Sequence, residues 1–223
     1  MIEDVIEINP FNKIEISFRE PVVLPKTIPI NVIESILVEA YSKLKSSETE
    51  YSKKTSVRDI AVLELLFATG ARVSEVCSLT PSSVNLDNHT VKFYGKGSKE
   101  RIIQIENLNV RKALNNYVNV FDEEIKASEY FFVNRLHNRL SEQSVREMIR
   151  KYTKLAEINI HITPHMFRHT FATLLLEEDV DIRYIQRLLG HSSITTTQIY
   201  THVAMSKQKE ILSAKHPRNK IKI

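Results

Sequence analysis

The chain is poor in the residues that cross-link or punctuate small folds. Of its 223 residues one is cysteine, four are glycine, seven are proline and none is tryptophan. A single cysteine excludes an internal disulfide framework, and a reducing cytoplasm is the simplest setting. Cys77 itself lies in an apolar-periodic helix start and reads as a buried, inert thiol. Scarce glycine and proline argue against a turn-rich β fold and for helices. No apolar run approaches the roughly 20 residues of a membrane span. The acidic start, Met1-Ile2-Glu3-Asp4, lacks the basic-then-apolar pattern of a signal peptide. What is present is ordinary for a globular protein: 42% apolar and 26% charged residues, with a net charge of +4. So mild an excess says little about nucleic acid. Its distribution says more, because Lys207, Lys209, Lys215, Arg218, Lys220 and Lys222 face only Glu210 in the C-terminal tail. That tail reads either as a solvated end or as an anion-binding one.

There is no internal repeat and no low-complexity segment. Residues 1–22, with Pro10 and Pro21, show little helical periodicity and read as an extended arm or interdomain linker. Residues 23–216 form the main domain and 217–223 a basic tail. Asn31 with Glu34 starts a helix to about Leu44, and a polar loop runs through Thr55. The next helix, Ser56 to Thr69, is stopped by Gly70. A short helix covers Val73 to Leu79. Strands follow at Thr90–Tyr94 and Arg101–Ile105, joined by Gly95-Lys96-Gly97-Ser98-Lys99-Glu100. Further on come a helix at Val110–Val120, a short strand at Tyr130–Val133 and a helix from Ser141 to Ala156. Thr163-Pro164 opens a helix to Glu177, and Asp181 caps another that ends at Gly190. A helix from Thr195 carries Tyr200, and a last one spans Ala204–Ser213. The fold class is therefore mainly α (α+β), with a small antiparallel three-stranded sheet.

Several polar residues sit at element ends. Pro164 places His165 and Arg168 in the first turn of one helix, three positions apart and on one face. Outward N–H groups and the helix dipole make that end suited to a phosphate. His191 follows a helix-ending Gly190, nine residues before Tyr200. A tyrosine has a pKa near 10 and attacks phosphorus poorly unless a base and cations assist it. Two arginines, Arg72 and Arg168, can clamp nonbridging oxygens, a histidine can take the phenolic proton, and Lys96 can protonate a departing oxygen. Singly, each residue has a plainer reading: His165 as cap or core, Arg72 as a surface ion-pair partner, Tyr200 as core and Lys96 as a turn lysine. His161, His165 and His169 raise a zinc site, but no Glu follows His165 and no acidic or cysteine ligand stands near, so no metal is expected.

Taken together, Thr69-Gly70-Ala71-Arg72-Val73-Ser74-Glu75, Gly95-Lys96-Gly97-Ser98-Lys99-Glu100-Arg101, His165-Met166-Phe167-Arg168-His169, Leu188-Leu189-Gly190-His191 and Gln198-Ile199-Tyr200-Thr201-His202 resemble the ordered boxes of the tyrosine recombinases. That family includes phage and transposon integrases and Xer-type resolvases. The resemblance implies a catalytic domain that breaks and rejoins double-stranded DNA without cofactor or metal. It implies Tyr200 as nucleophile, Arg72 and Arg168 on the scissile phosphate, Lys96 as general acid, His165 as base and His191 as a phosphate hydrogen-bond donor. Glu75, His169 and His202 would support these, and Lys99 and Arg101 would contact the DNA backbone. The C-terminal helix would either assemble a homotetramer on DNA or, in an isolated and monomeric chain, pack on its own domain. The family's N-terminal helical domain is expected to be missing, since only the arm precedes the catalytic domain; its loss would weaken DNA binding, increasingly so with salt. Two other readings share the motifs: a DNA-binding regulatory remnant of the same fold, and a type IB topoisomerase-like enzyme that relaxes DNA.

Overall fold

A computed structural model describes residues 26–95 and 100–190. The order of elements is α1 (Ile30–Lys45), α2 (Glu50–Thr69), α3 (Val73–Cys77), β1 (Val84–Asn85), β2 (Thr90–Tyr94), β3 (Glu100–Gln104), α4 (Leu108–Val120), α5 (Asp122–Lys126), α6 (Glu142–Leu155), α7 (Pro164–Glu177) and α8 (Ile182–Leu189). The expected arm, the loop residues 96–99, the helix bearing Tyr200, the last helix and the basic tail lie outside the described residues.

α2 is the axis of the domain. Every residue from Asp59 to Leu66 is buried, as befits a helix enclosed on all sides. α1, α4, α6 and α7 pack around it. It begins six positions earlier than the apolar pattern indicates, because Thr49 caps it: the Thr49 hydroxyl accepts from the Ser52 N–H at 3.1 Å. The first two turns are polar, so their periodicity resembles a loop. α1 likewise starts at Ile30, not at an Asn31 cap; it follows Pro29 and has no side-chain cap. The segment leading into it is tied down from afar, since the Ile28 N–H donates to Thr170 Oγ1 on α7 at 2.7 Å.

The sheet is antiparallel in the order β1-β2-β3. Val91 pairs with Ile103 and Phe93 with Arg101 across β2 and β3. Val91, Phe93 and Ile103 turn to the core. Its third strand is β1, paired to β2 through Val84 and Val91. Tyr130–Val133 makes only a single bridge, Val133 to Arg139. The physical reason is that its backbone finds other partners. The Phe131 N–H donates to the Leu79 carbonyl, while the Tyr117 hydroxyl donates to the Phe131 carbonyl and accepts from the Val133 N–H. Phe131 and Phe132 then pack edge-on and tilted against Tyr117 and each other as an aromatic cluster.

Two apolar clusters result among the described residues. The large one fills the space around α2; the smaller joins Ala172 and Leu176 of α7 to Ile185 and Leu189 of α8. α7 belongs to both, with Met166 and Phe167 in the first. The helix starts and stops behave as their residues suggest: Pro164 opens α7, Asp181 accepts from the Arg183 N–H, and Gly70 and Gly190 end α2 and α8 in the left-handed conformation. Cys77 is fully buried, and burial pushes its thiol up to about 12. Among the described residues no helix is long and apolar enough to cross a membrane.

Candidate active site

The site is built where the end of α2 meets α7 and α8. Gly70 turns there with φ +57, and its missing side chain lets α7 close in: a Cβ would lie 2.6 Å from Phe171 Cδ1 and 3.0 Å from Leu189 Cδ2. Arg168, on the first turns of α7, is 4% exposed. Its Nη1 donates to the Gly70 carbonyl at 2.7 Å and its Nη2 to the Leu189 carbonyl at 2.6 Å. One guanidinium thus latches the C-terminal ends of two helices, using carbonyls that those ends leave without helical partners. The chain leaves Gly70 through buried Ala71 and presents Arg72 two residues later.

Arg72 sits on a buried acid. Glu75, in the first turn of α3, accepts the Arg72 backbone N–H on Oε2 at 2.7 Å and Arg72 Nη1 on Oε1 at 3.1 Å. Arg101, from β3, completes the cluster. Its Nη1 and Nη2 donate to Glu75 Oε1 and Oε2, each at 2.8 Å, as a forked pair. Its Nε donates to the Leu188 carbonyl at 2.8 Å. Burial would raise the Glu75 carboxyl, but the hydrogen bonds and charge of Arg101, then those of Arg72, overcome it and hold the group below the usual carboxylate range.

The histidines flank this cluster on α7. His165 is exposed in the first turn, directly after Pro164. His169 lies one turn on and is half-buried. Burial, then the neighbouring His165 and Arg168, lower its pKa. His161 is exposed in the segment before α7. Among the described residues no group of three or more His, Cys, Asp or Glu is placed to hold a metal ion.

Of the residues singled out from sequence, Arg72, Glu75 and Arg168 are brought to one junction, and His165 and His169 lie within a turn of Arg168 on α7. Lys96, Lys99, His191, Tyr200 and His202 lie outside the described residues. Arg101, expected to contact DNA backbone, makes its described contacts inside the protein. Its side chain is 9% exposed, it lies over the Phe93 ring at 4.9 Å, and its guanidinium is turned inward on Glu75 and Leu188. A lone Arg after a basic loop gives no sign of this; in the fold, position 101 shares the face of buried Ile103, opposite Ile102. The glycines were legible as helix stops but not as points of close approach.

Comparison with known proteins bears on the whole arrangement. Residues 34–207 match the model of the phage integrase family. The chain is 57% identical over 216 residues to a protein named tyrosine recombinase from Agathobacter rectalis, covering 97% of this chain and 71% of that one. The crystal structure of XerA recombinase superposes with a TM-score of 0.71 at 32% identity, over 90% of this chain and 66% of that chain. A post-cleavage complex of XerH site-specific recombinase with a palindromic difH substrate has the same fold, with a TM-score of 0.71 at 24% identity, over 86% of this chain and 54% of that chain.

Proposed function

The chain belongs to the phage integrase family of tyrosine recombinases, and we propose that it cleaves and rejoins DNA strands through a 3′-phosphotyrosine intermediate. Arg72 and Arg168 hold the nonbridging oxygens of the scissile phosphate. The Tyr200 oxygen attacks phosphorus and passes its proton to His165; the bond from phosphorus to the 5′ oxygen breaks, and that oxygen takes a proton from Lys96. His191 donates a hydrogen bond to the phosphate. A phosphodiester is exchanged for a phosphodiester, so the reverse attack by a 5′-hydroxyl reseals the strand without ATP. Phosphoryl transfer of this kind rests on positioning and charge.

The observation that carries the reading is the bond from Arg168 to the Gly70 carbonyl, which joins residues 98 apart in sequence and brings the second arginine beside the turn that presents the first. A guanidinium locked by two carbonyls needs little reorganisation when charge develops in front of it. Residues 23–216 form the catalytic domain, 1–22 an arm and 217–223 a basic tail. The DNA is double-stranded, and the helix at 204–213 joins neighbouring protomers in a homotetramer on it, in the cytoplasm. Lys99, in the loop beside Lys96, contacts DNA backbone, and His202 supports the nucleophile.

A nicked suicide duplex tests the proposal, because loss of the short 5′ strand traps the covalent adduct. Wild type accumulates the adduct and Tyr200→Phe does not; an undiminished adduct in Tyr200→Phe refutes the nucleophile. Lys96→Ala is slow on an ordinary phosphate and recovers on a bridging 5′-sulfur, a leaving group that needs no proton. Failure to recover assigns the acid elsewhere.

A further inference from the structure

We propose that Arg101 is a positioning residue for strand cleavage: it occupies Glu75 so that the charge of Arg72 stays available to an anion, and it ties the β2–β3 hairpin to the end of α8. The inference rests on the function proposed above for Arg72, and it follows from who holds whom in the cluster. Glu75 is 6% exposed and its two oxygens accept four hydrogen bonds, which fills their lone pairs. The two shorter side-chain bonds come from Arg101, in a fork; the longer single one comes from Arg72. One carboxylate therefore faces two guanidiniums, and the cluster keeps one positive charge. Exposure decides where that charge shows itself. The Arg101 side chain is 9% exposed and the Arg72 side chain 35%. The buried cation answers the buried acid, and the exposed cation faces outward.

Without Arg101 the cluster would be neutral. Arg72 would be the sole cation for a desolvated carboxylate, and its attraction to an incoming phosphate would be spent inside the protein. The second half of the role is mechanical. Arg101 Nε holds the Leu188 carbonyl, and the side chain lies against Gly190, where a Cβ would come within 3.3 Å of Arg101 Cδ and Nη1. In the chain, Lys96 precedes Arg101 by one short loop and His191 directly follows Gly190. One side chain thus touches the two elements that lead into those residues, together with the acid beneath Arg72.

The experiment is a charge cycle read on the suicide duplex, with circular dichroism to establish that each variant folds. Arg101→Met lowers the cleavage rate by about tenfold or more. The double variant Glu75→Gln/Arg101→Met removes the acid along with its partner, leaves Arg72 positive, and is faster than Arg101→Met by about threefold or more. Arg101→Met within about twofold of wild type, or a double variant no faster than Arg101→Met, overturns the proposal. A merely structural arginine would not be rescued by a second lesion. Should Arg101→Met not fold, Arg101→Lys carries the test: it keeps the charge and cleaves faster than Arg72→Ala, and a rate as low as that of Arg72→Ala overturns the charge role. The Glu75 carboxyl can also be followed by 13C NMR with no DNA present. It titrates higher in Arg101→Met than in wild type, and an unchanged titration overturns the proposal. That measurement stands even if Tyr200→Phe were to retain the adduct, which would refute strand cleavage by Tyr200 instead.

Discussion

Replacing Gly70 by alanine strikes the junction at its tightest point, and the size of the effect follows from two terms. The backbone there has φ +57, where a residue with a Cβ pays about 1–2 kcal/mol. The Cβ would also meet Phe171 Cδ1 at 2.6 Å and Cγ at 3.1 Å. Turning the ring moves Cδ1 but not Cγ, its attachment atom, so a tight contact remains unless α7 shifts or Phe171 leaves its rotamer. Overpacking of this kind costs about 1–3 kcal/mol more. Together these give a loss of about 2–5 kcal/mol, or a drop in Tm of about 4–20 °C for a chain of this size. Gly190→Ala is the control. Its φ is +65, so the backbone cost is similar, but the nearest described neighbours of the new Cβ are atoms of the flexible Arg101 side chain, at 3.3 Å. It should lose about 1–2 kcal/mol. Calorimetry on both variants measures the difference, and the suicide duplex measures what reaches the chemistry. A retreating α7 carries Arg168 off the Gly70 carbonyl, so Gly70→Ala should cleave slower by about tenfold to a hundredfold. Equal melting temperatures for the two variants would refute the close-packing argument.

Four further outcomes can be checked. Arg168→Lys cannot span the Gly70 and Leu189 carbonyls with one ammonium, and it should lose about 1–3 kcal/mol in denaturant melts along with most of its cleavage. Thr170→Val leaves the Ile28 N–H buried without an acceptor and should cost about 1–3 kcal/mol by urea unfolding. Acid should destabilise wild type through Glu75. Its folded pKa lies below its unfolded one, so this stability is complete above the ordinary 4.5 and is lost as pH falls through the folded value, and Glu75→Gln should show a shallower acid limb. Glu64 has the opposite sign: burial raises it, against a lowering hydrogen bond from Tyr41, so its contribution is lost as pH rises past 4.5, and Glu64→Gln should be gaining on wild type toward neutrality.

Much of the fold was legible because its signals are local. A proline after a threonine opens α7, an aspartate caps α8, and glycines end α2 and α8; each acts within a turn of itself. The misreadings are equally physical. The first turns of α2 are polar and look like loop until the Thr49 cap is seen. α5 is five residues long, too short for periodicity to declare it. Phe131–Val133 has the composition of a strand but spends its backbone on the Tyr117 hydroxyl and the Leu79 carbonyl.

The sequence by itself determined the residue types of the site, their order and the helix ends that present them, because caps, turns and motifs are written in neighbouring residues. Only the tertiary structure decided which arginine faces outward. Arg72, Arg101 and Arg168 carry the same guanidinium, yet the fold buries two of them against a carboxylate and helix-end carbonyls and leaves the third the most exposed. Those partners are brought together by the packing of α2, α7, α8 and the sheet, and no local pattern encodes a contact between residues 98 apart.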